Sequence, residues 1–171
     1  MASSTSPASV HLPAPAEVRE VLHGLVDREI ALAPSTPLVP SSRSVCTVGA
    51  YQDAAGSIRA VAVLDRALSV GLGAALSLLP SHEADAQLES TLGGAPLDEE
   101  LGENVEEVLN VLASAFNAVE GVHVKLAAFH PAGGELPRET RMLCYSLGRR
   151  EDHAVTVERY GGGRLALILV G

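Results

Sequence analysis

Three side chains in the stretch GENVEEVLNVLASAFNAVEG, residues 102–121, have types and spacing that could serve chemistry: Glu103, Glu107 and Asn110. Residues three and four apart on a helix are neighbours, so these three fall in one row. A carboxylate offers only acceptors, whereas a carboxamide offers both a donor and an acceptor. Asn in a helix interior is an indifferent helix former, because its side chain competes for backbone hydrogen bonds. Its presence at 110 therefore asks for a reason. The ordinary reason is a solvated polar face, which every amphipathic helix has. The chain holds 15 Glu and three Asn, so a Glu-x-x-Asn by itself is a common accident.

The helix that must carry these groups spans 97–119. At about 100° per residue, Val105, Val108, Leu109, Leu112, Phe116 and Val119 make an apolar stripe. Glu103, Glu107, Asn110, Ser114 and Asn117 lie opposite it. Acidic residues crowd the first turns, where the helix dipole favours them, and Gly121 ends the run. Upstream, SHEADAQLESTLGG reads as a shorter helix with Ser81 as its N-cap, Glu83 early and Gly93-Gly94 as the stop. A first helix covers 14–32, with Val18, Val21, Leu22, Leu25 and Leu32 on one side and Glu20, His23 and Asp27 on the other. The three prolines of 33–43 make that segment a loop.

The remainder reads as strands. SVCTVGAYQ and SIRAVAVLD are joined by a DAAG turn. ALSVGLGAALSLL, 67–79, has the apolar content of a buried helix but two glycines and a closing Pro80, and of the two it is read as a third strand of a buried meander. Residues 122–130 and 140–147 follow, separated by a Pro/Gly loop. Residues 154–160 and 164–170 are joined by the GGG turn. The last strand is apolar on both faces and so belongs inside the sheet. The expected architecture is an α/β sandwich, with a largely antiparallel sheet and helices packed on it. Residues 1–13, rich in Ser, Pro and Ala, form a loose tail, and 14–171 form a single domain.

The spacing Glu103-x-x-x-Glu107-x-x-Asn110 resembles the (Asp/Ser)-x-x-x-Glu-x-x-Asn motif of the CheC/CheX/FliY family of chemotaxis phosphatases. Residues 76–117 also resemble that family's run of strand, short helix ending in Leu-Gly, acidic link and motif helix. One motif, not two, is more like CheX than CheC. The resemblance implies a CheC-like fold and a phosphatase acting on the aspartyl phosphate of a CheY-type response regulator. Asn110 would enter the partner's site and orient the attacking water. Glu107 would pair with a lysine of the regulator, and Glu103, Glu106 and Ser114 would contact the partner. The Mg2+ ion and the phosphoaspartate would belong to the regulator, so the chain needs no cofactor or metal of its own. A homodimer is also implied. Glu103 departs from the Asp or Ser of the motif, and Phe116 from the small residues common near it. The alternative is a non-catalytic CheC-like binding module.

Composition sets the outer bounds. A formal charge of −9 argues against a nucleic-acid binder, which carries a basic patch. No apolar run reaches the ~18 residues of a spanning helix, and the N-terminus has neither the basic nor the apolar region of a signal peptide. The expected compartment is the cytoplasm. Trp is absent and Phe numbers two, so the core must be built from Val, Leu, Ile and Ala. Cys46 and Cys144, set in strand-like surroundings without CxxC spacing, are expected as reduced, buried thiols. Other patterns carry less. GLGAA at 71–75 lacks a third glycine for dinucleotide binding. HEAD at 82–85 lacks a second His for zinc. Glu20-x-x-His23 is a surface pair, GRRED at 148–152 is a mixed-charge loop, and His123, His130 and His153 are isolated.

Overall fold

In the computed structural model, which describes residues 9–92 and 94–170, the chain runs α1 (Pro15–Val26), β1 (Ile30–Pro34), β2 (Cys46–Gln52), β3 (Ile58–Asp65), α2 (Arg66–Leu76), α3 (Ser81–Thr91), α4 (Glu99–Phe116), β4 (Lys125–His130), α5 (Arg138–Leu143), β5 (Arg150–Val157) and β6 (Gly161–Leu169). The strands form one six-stranded sheet in the order β1-β5-β6-β3-β2-β4. Every pairing in it is antiparallel. This is the expected helix-covered antiparallel sandwich. β6 lies inside the sheet, as its two-sided apolarity requires.

Side chains alternate across the sheet, and each set meets a different cover. Tyr51, Ala62, Leu64, Val155 and Leu167 face α1, α2 and α4, packing on Val18, Leu22, Leu72, Leu109 and Phe116. Val48, Ala50, Val61, Val63 and Ile168 face the other way, toward Leu38 of the 35–45 loop and Cys144 just after α5. A third cluster joins Val70 and Ala74 of α2 to Leu101 and Val105 of α4. Among the described residues no helix is long and apolar enough to cross a membrane.

Local chemistry sets the element ends. Glu17 accepts from the Ala14 N–H at 2.8 Å and so helps start α1. Asp27, in the left-handed region at φ 52°, stops it. The β2–β3 turn forms where it was expected: Asp53 accepts from the Ala55 and Ser57 N–H groups at 2.9 and 3.0 Å.

Several expectations are corrected. Residues 66–76 are helix α2, not a strand. Asp65 caps it by accepting from the Leu68 N–H at 2.9 Å, and the run is apolar on all sides because α2 is buried all round. Its glycines serve close packing between elements: a Cβ on Gly73 would fall 2.8 Å from Leu101 Cδ1. Residues 138–143 are helix α5 rather than part of a strand, beginning at Pro137, whose fixed φ suits a helix start. Residues 30–34, assigned to the first helix and the following loop, form strand β1. Residues 161–163 are not the turn but the start of β6; the chain reverses over 158–160. Gly163 is needed there because a Cβ would meet Asp65 Oδ1 at 2.2 Å and the Leu68 nitrogen at 2.6 Å. Pro80, not Ser81, is the N-cap of α3. Gly93, one half of the expected stop, lies outside the described residues, as do residues 1–8 of the expected tail. From residue 9 the chain lies against the domain, with Val10 in the main core.

The GRRED segment holds the most consequential difference. Arg150, Glu151 and Asp152 belong to β5, and Arg150 and Asp152 form a buried pair with side chains 6% and 7% exposed. The guanidinium donates to both Asp152 carboxylate oxygens at 2.7 and 2.8 Å. It also donates to the carbonyls of Cys144, Ser146 and Leu38 at 3.0, 2.9 and 3.1 Å. Asp152 accepts in turn from the Leu38 N–H at 2.8 Å. All five guanidinium donors are used, so one side chain fastens both covers of the second sheet face.

Arg150→Ala is expected to cost about 3–5 kcal/mol, because it strands a buried carboxylate and three carbonyls. An unchanged denaturant midpoint would refute the clamp. Both cysteines are buried and free. Burial pushes the Cys46 thiol up from 9.0 to about 12 and that of Cys144 to about 11. The folded state therefore holds these protons more tightly than the unfolded one. Their contribution to stability is full below pH ~9 and falls as pH rises above it, by about 1.4 kcal/mol per pH unit per thiol until each folded-state value is passed. The measurement is unfolding free energy across pH 8–11, where a Cys46→Ala, Cys144→Ala double variant should show the shallower decline.

Candidate functional site

Helix α4 is set by its start and by what holds it from behind. Asp98 caps it, accepting from the Leu101 N–H at 2.7 Å, and Glu99 and Glu100 occupy the first turn. The helix buries Leu101, Val105, Val108, Leu109, Leu112, Ala113, Ala115 and Phe116. Beneath it, the fully buried Tyr51 hydroxyl donates to the Leu109 carbonyl at 2.6 Å. Burial raises the phenol well above its ordinary value, which keeps it protonated and donating. The Tyr51 and Phe116 rings meet at 5.0 Å, tilted by 50°. Asn104 ties α4 to α2 by donating to the Gly73 carbonyl at 3.3 Å.

On the outer side, Glu103, Glu106, Glu107, Asn110 and Ser114 are all exposed. Their spacings of three and four place the first four in a diamond with Cβ atoms about 5–6 Å apart. The side chains of Glu103, Glu106, Glu107 and Asn110 make no hydrogen bond or ion pair with any described residue. Ser114 is committed to its own helix, donating to the Val111 carbonyl at 2.8 Å. The helix EELGENVEEVLNVLASAF carries five carboxylates and no Lys or Arg. Its outer ridge is therefore a strip of negative charge ending in an uncommitted carboxamide. Such a strip is electrostatically complementary to a cationic surface.

Two residues assigned to the helix stripes sit elsewhere. Asn117 lies at the C-cap and is half-buried. Its carboxamide donates to the Val124 carbonyl and accepts from the Val124 N–H at 2.8 and 2.9 Å, which closes the connection toward β4. Val119 lies past the helix end and is 48% exposed. Tyr51 and Asn104, which set the position of α4, were not singled out from sequence. The one available signal was a lone Tyr in a strand otherwise made of small and branched residues. Among the described residues no group of three or more His, Cys, Asp and Glu could hold a metal ion. Glu20 and His23 are exposed, and His23 Nδ1 lies 2.8 Å from the Arg28 carbonyl. They line an open cleft of about 760 Å3 between α1, β1 and β5, to which α4 contributes nothing.

No protein-family profile matches the chain, and no curated protein matches it in sequence. Solved structures do match in fold. FliY from Thermotoga maritima superposes with a TM-score of 0.55 at 11% identity, covering 91% of this chain and 83% of that one. The FliM middle domain from Vibrio alginolyticus gives 0.53 at 9%, covering 90% and 86%. The chemotaxis protein CheX from Vibrio vulnificus gives 0.51 at 15%, covering 91% and 92%.

Tyr51→Phe removes the hydroxyl while keeping the ring. It should lower stability by about 1 kcal/mol, the net worth of one buried hydrogen bond. Hydrogen exchange should quicken first at the amides of the α4 segment around Leu109; exchange changing uniformly over the whole chain would deny Tyr51 a specific hold on α4.

Proposed function

We propose that this chain, which carries the fold found in FliY and CheX, is a CheX-like phosphatase hydrolysing the aspartyl phosphate of a CheY-type response regulator. One observation supports the reading above others: Glu107 and Asn110 stand side by side on a continuous helix, exposed, their side chains without a hydrogen bond or ion pair to any described residue.

The chemistry asked of the chain is small. Water attacks phosphorus in line, the new P–O bond forms, the bond to the aspartyl oxygen breaks, and inorganic phosphate and a carboxylate separate. Such a reaction needs positioning and charge neutralisation. The Asn110 carbonyl accepts a hydrogen bond from the water while its NH2 donates to a phosphoryl oxygen. Glu107 pairs with a lysine of the regulator and fixes the register of the helix against the site. Glu103 and Glu106 extend the acidic contact, and Ser114 marks its far end. The acyl phosphate and a divalent ion come with the regulator; this chain supplies neither. The reading places the protein in the cytoplasm. It also accommodates a homodimer, since β1 and β4 are the edges of the sheet.

A second reading has its own support. The fold is shared with a FliM middle domain at least as closely as with CheX, so the scaffold does not require an enzyme. A non-catalytic module would use the same acidic ridge for binding alone.

With a regulator phosphorylated by a small-molecule donor, Asn110→Ala is expected to lower phosphate release by roughly 10²-fold with docking retained. Glu107→Ala should raise KM by about tenfold or more, the loss of one close interfacial charge pair. Neither should lower Tm, because Glu107 repels Glu103 one turn away and its removal relieves about 0.2–0.5 kcal/mol. Full activity in both variants would refute the mechanism. A wild-type chain that binds but releases no phosphate would establish the second reading.

A further inference from the structure

The second sheet face carries a surface unlike the rest of the molecule. Met142, Tyr145 and Leu147 are 60%, 48% and 77% exposed, three of the six large apolar side chains standing out among the described residues. Arg138, Arg141 and Arg149 are exposed beside them, and their guanidiniums make no hydrogen bond or ion pair with any described residue. Glu139 is the one carboxylate within 138–149, in a chain whose formal charge is −9. Arg138 and Met142 lie one helical turn apart, so cation and apolar group share a ridge.

This surface is held in place, not loose. The buried Arg150 guanidinium bonds the carbonyls of Cys144 and Ser146. Cys144 is fully buried and Leu143 packs beside it. The backbone flanking Tyr145 and Leu147 is thereby fixed, which lowers the ordering cost of any contact made there. At its end, Gly148 and Arg149 border a cleft of about 250 Å3 that Ser146, Arg59, Leu169 and Val170 also line.

We infer that the 138–149 segment is a docking surface for an acidic segment of a partner protein, one presenting two or three large apolar side chains among carboxylates. The charge decides the occupant. Three arginines without a partner among the described residues, set around an apolar patch, select carboxylates. Residues 1–8 of this chain hold no acidic residue and do not fit. An anionic bilayer would attract these arginines but repel the remainder of a molecule at −9. The surface lies on the sheet face opposite α4. Its partner therefore need not compete with one on the acidic ridge, and the inference stands apart from the phosphatase reading.

The test is an NMR titration of the full chain with two synthetic peptides, one of interspersed Leu, Phe, Asp and Glu, the other with Lys in place of every acid. The acidic peptide should shift amide signals within 138–149. Its affinity should fall at least tenfold for Leu147→Ser and for Arg141→Glu, at exposed positions where folding is not at stake, and the Lys peptide should not bind. Shifts elsewhere, equal binding of both peptides, or no binding of the acidic one overturns the proposal. So does sedimentation with phosphatidylglycerol vesicles that Arg141→Glu abolishes, which would assign the patch to a bilayer. Self-association abolished by Leu147→Ser would assign it to a second copy.

Discussion

A buried phenol beneath the long helix decides where that helix can lie. The Tyr51 hydroxyl needs a partner, since a desolvated O–H without one costs about 1–3 kcal/mol, and the partner is the Leu109 carbonyl at 2.6 Å. That carbonyl belongs to the residue immediately before Asn110. The strand beneath thus fixes both the depth and the rotation of α4 at the point where its outer face carries the carboxamide. Packing of the Tyr51 ring on Phe116 fixes the same helix two turns later. With the inner face so determined, Glu103, Glu107 and Asn110 have no choice of side, because the helical period puts them outward.

The two faces of the sheet are built by different means. One is covered by amphipathic helices, whose apolar stripes supply their own adhesion. The other is covered by a proline-rich loop and a helix of only six residues, too little apolar surface to hold fast alone. There a polar device does what area cannot. Arg150 and Asp152 join the loop at Leu38 to the segment at Cys144 and Ser146 through hydrogen bonds that satisfy every donor of the guanidinium. A buried ion pair is ordinarily poor evidence for stability. This one differs in that its geometry is complete and its carbonyl partners would otherwise be left without it.

What could be read from the residues follows the range of the interactions involved. The α4 pattern, the β2–β3 hairpin and the interior placement of β6 rest on local periodicity and turn chemistry, and all were legible. The row on the ridge was legible for the same reason, since helical spacing alone brings Glu103, Glu107 and Asn110 together. Elsewhere a short-range signal has two meanings, and contacts beyond the pattern decide between them. The 67–79 run is apolar enough for either a buried strand or a buried helix, and the Asp65 cap that decides between them reads locally as the end of a strand. The glycines at 161–163 read as a turn, yet two of them are small because neighbouring backbone and the α2 N-terminus press on them. Residues 140–147 alternate acceptably for a strand, and only Pro137 signals the helix. The Arg150–Asp152 clamp could not be read at all, because its contact with Leu38 joins residues 114 positions apart.

The carboxylates of α4 make the last step. Glu99 and Glu100 are favoured by the helix dipole at the N-terminus. Glu103, Glu106 and Glu107 lie deeper, where that benefit has faded within a turn, and they repel one another at spacings of three and four. A helix selected only to cover the core would intersperse lysines or arginines there, gaining a few tenths of a kcal/mol per pair, yet α4 has none. Asn110 continues the same logic, since an Ala or Gln there would be the better helix former. The ridge is thus less stable than its neighbours would allow at four successive outward positions. Local propensity and charge rules are thus broken together on one exposed strip, and the firmly anchored inner face is what lets the helix bear that cost.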